Sequence, residues 1–261
     1  MKERVLITGS NGFIGSRLVE VQKRAGVEVV MGDRKGTCPE VSRIYDLAAY
    51  GNLITQKDRT EAYRANILRV AHLLDNTETV DYKSCVLTSS SSVLLPNKTY
   101  YALSKLAMEQ FATQYAKETG KPIVILRPST IIGRGENPAR LVPKLVHSCL
   151  TGEKMWFVPY PTHDYLCVED FIDAMLLVSL QAKELSGRTL NVSSGISLTN
   201  EEIKEIVEEV TGKKANVEIV KNARPYDTTN WEVNNWEIRS LGWKPRRTLQ
   251  ETISQMVAAY E

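Results

Sequence analysis

Apolar and polar positions follow two alternating rhythms over the first half of the chain. Short apolar runs at residues 5–8, 27–31, 43–48, 85–89 and 123–126 have the length and density of buried strands. Between them, residues 13–25, 58–74 and 101–118 space their apolar positions as amphipathic helices do, and Gly26 and Gly120 stand where the first and last of these should stop. Strands that alternate with helices imply a parallel sheet covered on both faces. Beyond about residue 130 the alternation fades. Two capping boxes survive there: Thr199 with Glu202, and Thr248 with Glu251, each of which opens a helix.

The first strand ends in a turn that changes the picture. The segment "RVLITGSNGFIGSRLVE" spends Gly9, Gly12 and Gly15 between a strand and a helix. Such glycines turn the chain tightly, admit a pyrophosphate close to the backbone and let the helix pack against the sheet, with the helix N-terminus facing the phosphates. The expected fold is therefore α/β, a Rossmann-type doubly wound parallel sheet. Asp33, at the end of the second strand, stands where a carboxylate would hold the adenosine ribose diol and repel the extra phosphate of NADP. Arg34 and Lys35 work the other way, so NAD is favoured and NADP stays open.

A second segment, "TYYALSKLAMEQ", places Tyr101 and Lys105 four residues apart on one helix face. A tyrosine acts as a base only if its pKa, about 10 in water, is lowered. Three units cost roughly 4 kcal/mol, and one cation about 4 Å away supplies that much at an effective dielectric near 20. Lys105 can be that cation. Upstream, "CVLTSSSSVLLP" runs a strand into hydroxyls where the carboxyl ends of strands build a site.

With both motifs in place, the chain resembles the extended short-chain dehydrogenase/reductase family, in its nucleotide-sugar epimerase and dehydratase group. T-G-x-x-G-F-I-G matches residues 8–15, L-A-A matches Leu47, Ala48 and Ala49, and the helix asparagine matches Asn66. R-P-x-x-x-x-G matches residues 127–133, "HDYLCVED" looks like R-D-[FY]-I-x-V-x-D, and "LGWKP" matches the C-terminal signature. The resemblance implies a dinucleotide site made of Gly9, Asn11, Gly12, Phe13, Ile14, Gly15, Asp33, Arg34, Leu47, Ala48, Ala49, Asn66, Thr88, Ser89, Tyr101, Lys105, Pro128 and Ser129. It implies Ser90, Tyr101 and Lys105 as the catalytic set. A nucleotide-diphosphate sugar would then be held by Ser90, Thr130, Arg140, Leu141, His163 and Arg224, with Trp156 or Phe157 stacked on the base. The expected division is a dinucleotide-binding domain over 1–130, joined by 160–195, and a small mixed α/β substrate-binding domain over 131–261. A homodimer is also implied.

The departures narrow the chemistry. Dehydratases of the group carry acids, and uronic-acid decarboxylases a glutamate, where this chain has Ser90, Ser91 and Ser92, which leaves reversible hydride transfer at a sugar carbon. A 4-epimerase with NAD is the leading expectation, a 4-keto reductase the alternative, and a non-catalytic dinucleotide sensor a third reading of another class. Two segments are short: about a dozen residues separate the second and third strands, so one sheet strand and the adenine-contacting loop are expected to be missing, and the loop between Ser90 and Tyr101 is cropped.

Composition excludes more than it identifies. The 261 residues carry a net charge of +2 with interspersed signs, so neither nucleic acid nor a membrane is implied as a partner. Cys38, Cys85, Cys149 and Cys167 lack metal or redox-pair spacing, which suits buried thiols in a reducing cytoplasm, and no metal is expected.

Overall fold

The structure, a computed structural model, describes residues 3–32, 39–53, 55–221, 227–229 and 231–260. In chain order its elements are β1 (Arg4–Thr8), α1 (Phe13–Arg24), β2 (Glu28–Met31), β3 (Arg43–Asp46), α2 (Arg59–Tyr63), a π-helical turn (Arg64–Leu68), α3 (Arg69–Asn76), β4 (Ser84–Thr88), α4 (Tyr100–Thr119) and β5 (Ile123–Pro128). They continue as β6 (Thr130–Ile132), α5 (Leu141–Thr151), β7 (Met155–Phe157), β8 (Thr162–Cys167), α6 (Val168–Leu180), β9 (Thr189–Val192), β10 (Ser197–Thr199), α7 (Asn200–Thr211), β11 (Val217–Ile219), α8 (Trp236–Ser240) and α9 (Leu249–Ala258). The chain divides into two compact units, residues 1–128 with 172–191, and residues 129–171 with 192–261.

The first unit is built on a six-stranded sheet in the order β2-β1-β3-β4-β5-β9, with parallel pairing from β2 through β5. Strands covered on both faces must be apolar at nearly every position. Accordingly Val5, Leu6, Ile7, Val86, Leu87, Val124 and Ile125 are all fully buried. One core cluster gathers Leu6, Ile44, Val70, Leu73, Leu74, Leu87, Met108, Ala112 and Ile125, which locks α3 and α4 to the same sheet face. β2 is an edge strand, and no strand lies outside it among the described residues.

The helix expected over 58–74 forms, capped by the Asp58 carboxylate, which accepts from the N–H groups of Thr60 and Glu61. It widens into a π turn at residues 64–68. That wider turn contains Asn66, and such turns often mark functional positions in helices.

In the second unit β8 pairs in parallel with β6 and antiparallel with β10, and β7 pairs with β11. Helices α5, α7 and α9 pack through Val142, Leu145, Val146, Ile203, Val207, Ile253 and Met256 around Phe157 and Tyr165. Both expected capping boxes are present, at Thr199 with Glu202 and at Thr248 with Glu251. The "LGWKP" signature has a structural partner in the same unit. Trp243 Nε1 donates to the Asp170 carbonyl, and the buried Asp170 carboxylate accepts from the N–H groups of Arg246 and Arg247 and from the Arg247 guanidinium.

The turn after β1 leaves no space for side chains. A Cβ added to Gly15 would lie 2.1 Å from the Gly9 carbonyl oxygen, and one added to Gly9, which has φ +63°, would lie 2.8 Å from Ala48 N. Gly15→Ala is expected to destabilise the protein by ~3 kcal/mol or more through this backbone collision. Gly26→Ala meets nothing within 4 Å and should cost about 1 kcal/mol for its positive φ alone. Thermal melts of the two variants check the ranking, which would be contradicted by equal losses.

Candidate functional site

Gly12 caps α1 without any side-chain hydrogen bond, and no acidic residue stands in the first turn. The first N–H groups of α1 are therefore unsatisfied by side chains and face an opening at the end of β1. A cavity of about 270 Å³ opens there, lined by Gly9, Ser10, Asn11, Gly12, Gly32, Ala48 and Arg69. Gly9, Gly12 and Gly32 leave stretches of its wall as bare backbone, which suits the close approach of a pyrophosphate. Of the sequence-derived dinucleotide residues, the structure brings Gly9, Asn11, Gly12 and Ala48 to this cavity, with Phe13, Ile14 and Gly15 in the adjoining first turn of α1 and Leu47 and Ala49 flanking Ala48. Asp33 and Arg34, with Lys35, lie outside the described residues, as do Cys38 and Arg224.

Beneath the cavity is a buried charge network that sequence reasoning missed. Thr8 Oγ1 donates to Asp46 Oδ1 at 2.6 Å and accepts from the N–H groups of Leu47 and Ala48 at 3.1 Å each. Arg69 grips the same carboxylate with both terminal nitrogens, at 2.7 and 3.0 Å, and also donates to the carbonyls of Ala48 and Ala65. Asp46 is fully buried and Arg69 nearly so. Burial pushes the Asp46 carboxyl up, but the charge and hydrogen bonds of Arg69, the charge of Lys105 and the Thr8 hydroxyl outweigh it and hold the group below the ordinary carboxylate range. The only sequence signal was a charged residue, Asp46, at the end of an apolar strand.

The catalytic candidates sit on and around α4. The Thr99 hydroxyl caps the helix at Ala102 N, which places Tyr101 in the first turn and Lys105 one turn on. Lys105 is 2% exposed, and its Nζ donates to the Thr88 carbonyl at 2.7 Å. Burial lowers its pKa to about 8, with Asp46 and Glu109 opposing that shift and Arg69 adding to it. The loop after β3 approaches Tyr101 closely: a Cβ on Gly51 would lie 3.3 Å from the Tyr101 Cβ. Asn66, fully buried in the π turn, fixes that approach. Its amide nitrogen donates to the Tyr50 carbonyl at 2.8 Å and to Ser104 Oγ at 2.9 Å, and its oxygen accepts from Tyr50 N at 2.9 Å. Ser104 Oγ in turn donates to the Tyr101 carbonyl. The expected cofactor contact at Asn66 is thus placed as a tie between the β3 loop and α4.

At the end of β4 the hydroxyls of residues 88–92 separate by environment. Thr88 Oγ1 is buried with no hydrogen-bond partner among the described residues, although its carbonyl holds Lys105. Ser89 turns inward and donates to Glu109, whose carboxylate also accepts from Arg127. Ser90 is half-buried and caps a short 3-10 turn, its Oγ accepting from Ser92 N and Ser92 Oγ. Of Thr88, Ser89 and Ser90, Ser90 is the half-buried one, and the buried Thr88 hydroxyl is the one without a hydrogen-bond partner among the described residues.

Of the substrate-side residues, Ser90 belongs to the first unit and Thr130, Arg140, Leu141 and His163 to the second; of the dinucleotide residues, Pro128 ends β5 in the first unit and Ser129 begins the second. Ser129 Oγ donates to Asp164, and this carboxylate also accepts from Ser194 N and Gly195 N, so Ser129 and Asp164 hold two loops together. Thr130 opens β6, Arg140 caps α5 and Leu141 begins it. His163 lies in β8, 8% exposed, with its ring centroid 5.8 Å from Tyr165 and 5.0 Å from Trp231. Trp231 had not been singled out from the sequence. Of the two aromatics in β7, Phe157 is 1% exposed and packs in the core, which removes it as a base-stacking residue, whereas Trp156 is 78% exposed. Cys85, Cys149 and Cys167 are buried. Among the described residues no acidic, histidine or cysteine cluster could hold a metal, and no helix is long and apolar enough to cross a membrane.

The family model described as the NAD dependent epimerase/dehydratase family matches residues 5–78 and 38–193. A GDP-L-fucose synthase of Sinorhizobium fredii is 22% identical over 295 residues, covering 95% of this chain and 92% of that protein. Among solved structures, MoeE5 in complex with UDP-glucose and NAD superposes with a TM-score of 0.89 at 24% identity, over 98% of each chain. The UDP-glucose 4-epimerase of Thermotoga maritima with UDP-glucose gives 0.88 at 20% identity, again over 98% of each. These likenesses establish the fold.

One neighbour of Arg140 yields a prediction. Glu136 has a side chain only 4% exposed, with Arg140 Nε 3.6 Å from Oε1 and no hydrogen bond to Oε2. Burial raises its carboxyl to about 8, with Arg140 and a Gly133 N–H opposing. The folded state therefore keeps a proton that the unfolded chain has lost, and stability must fall as pH rises from the ordinary carboxylate range through about 8. Glu136→Gln should remove that decline, its advantage in melting temperature growing across this window and levelling above it. A constant difference at every pH would contradict the assignment.

Proposed function

The chain belongs to the NAD dependent epimerase/dehydratase family, and from this premise we propose that it is an NAD-dependent nucleotide-sugar 4-epimerase. The observation that carries the reading is the pairing of Tyr101 with a buried Lys105 next to a glycine-walled cavity, in a site where Ser90, Ser91 and Ser92 replace the acids that elimination would need. The turn at residues 9–15, with Ala48, would hold the pyrophosphate of the dinucleotide, and Lys105 its nicotinamide ribose. When bound, that group supplies the acceptor and donor of hydride at the sugar carbon.

The chain's own residues do the rest. Ser90 would hold the sugar oxygen, and Tyr101 would take the hydroxyl proton as a 4-keto sugar forms, then return it. Tyr101 can do so near neutral pH because the Lys105 ammonium, kept from water, stabilises the phenolate. The Thr88 carbonyl limits the directions in which that ammonium can point. The side chains of Thr130, Arg140, His163 and Arg224 and the Leu141 backbone would supply the polar and cationic groups suited to a nucleoside diphosphate.

A 4-keto reductase would use the same residues, and Arg34 and Lys35 favour it, because they suit the extra phosphate of a reduced NADP that is exchanged at every turnover. The same proposal includes a homodimer, supported by the exposed Tyr63, Leu68, Tyr100, Leu103 and Phe111 on the helices that carry Asn66 and Tyr101. Sedimentation at micromolar concentration should then show two chains rather than one.

Tyr101→Phe keeps the ring and removes the proton-transferring oxygen. Turnover of the sugar nucleotide that the wild type accepts should fall by a factor of about 10² to 10⁴, with the melting temperature nearly unchanged. Unaltered turnover would refute the role of Tyr101, and no turnover by the wild type on any sugar nucleotide would favour the dinucleotide-sensing reading.

A further inference from the structure

The buried Asp46–Arg69 pair lies between two parts of the site that the chain must hold in register. On one side it fixes the cavity wall. Thr8, which precedes Gly9, donates to Asp46, the same hydroxyl accepts from Leu47 N and Ala48 N, and Arg69 closes the ring on the Ala48 carbonyl. On the other side it faces α4. In the sheet register Asp46 stands beside Leu87, and the next residue of β4, Thr88, offers the carbonyl that receives the Lys105 ammonium. A carboxylate at the end of β3 is thereby brought next to the ammonium on α4.

The charges around Lys105 come from each element packed on it. β3 contributes Asp46, α3 contributes Arg69, α4 itself contributes Glu109, and β4 contributes the Thr88 carbonyl. Glu109 already serves Arg127 and Ser89. Asp46 is bound by Arg69 in a two-pronged grip that fixes both carboxylate oxygens. Such a carboxylate cannot rotate away, so its field on Lys105 is permanent.

We propose that Asp46 is a positioning residue for proton transfer: held by Thr8 and Arg69, its carboxylate keeps the buried Lys105 charged and so extends the activity of Tyr101 to higher pH. This inference rests on the reading of Tyr101 and Lys105 as the proton-transfer pair. The electrostatics agree in sign. Desolvation pulls Lys105 toward neutrality, the carboxylate of Asp46 is the largest influence opposing it, and Lys105 reciprocally helps to hold Asp46 ionised. Without the carboxylate, Arg69 would remain to repel the ammonium, and Lys105 would shed its proton earlier as pH rises.

The test is the pH profile of kcat/KM for wild type, Asp46→Asn and the double variant Asp46→Asn/Arg69→Gln, on the purified full chain with its sugar nucleotide. For Asp46→Asn the alkaline limb should move acidward by about one unit, so the ratio of kcat/KM at pH 9 to that at pH 6.5 falls about tenfold. The double variant keeps a neutral hydrogen-bonding pair in place of the buried ions, and its limb should move in the same direction by less. It also serves should Asp46→Asn alone fail to fold. An alkaline limb at the wild-type position in a folded variant, with activity lowered by one factor at every pH, would reduce Asp46 to a structural part and overturn the inference. Tyr101→Phe, measured alongside, separates the two levels: if it stays active the proton-transfer reading itself fails, whereas an inactive Tyr101→Phe with an unmoved Asp46→Asn limb sinks only this inference.

Discussion

The interaction on which the first unit turns is the hydrogen bond from the Lys105 ammonium to the Thr88 carbonyl in a place closed to water. An isolated ammonium in such a place is unstable, and a chain that keeps one must surround it with acceptors and opposite charge. This requirement orders the neighbouring elements. It brings the end of β4 under α4, the end of β3 beside both, and Asp46 and Glu109 within reach of one cation. In the proposed proton transfer, the same desolvation that makes Lys105 easier to deprotonate would make its charge more effective on Tyr101.

The glycine turn imposes a second requirement, that backbone approach backbone. Gly9 lies against Ala48, and Gly15 against Gly9, so the cavity at the end of β1 depends on where the β3 loop is fixed. Asn66 and Arg69, on successive turns of one helix, fix it at Tyr50 and at Ala48. The π turn holds Asn66 and leads directly into Arg69, and Asn66 joins the loop that walls the cavity to the helix carrying Tyr101 through Ser104. Positioning and chemistry thus share a few buried polar groups.

Much of this was legible in the sequence because it rests on local pattern. The apolar runs of β1 to β5, the stop at Gly26 and the two capping boxes depend on neighbours a few residues away, and the structure contains them. The strands β6 to β11 do not stand out in the sequence, since runs of three to six residues carry too little periodicity. Asp46, Arg69 and Glu109 were passed over for a different reason. Each looks like an ordinary charged residue until strand register and helix packing bring together positions 18 to 38 residues apart. The sequence left Trp156 and Phe157 as alternatives because the choice of face in a three-residue strand is set by the core behind it.

An epimerase of the kind proposed would keep its oxidised dinucleotide and recycle it within each turnover. The most direct measurement is to denature freshly purified protein and identify and quantify the nucleotide released. NAD in nearly one-to-one ratio with the chain is the expected result. A protein that releases NADP, or none, would contradict it and move the function to a reductase that exchanges its cofactor.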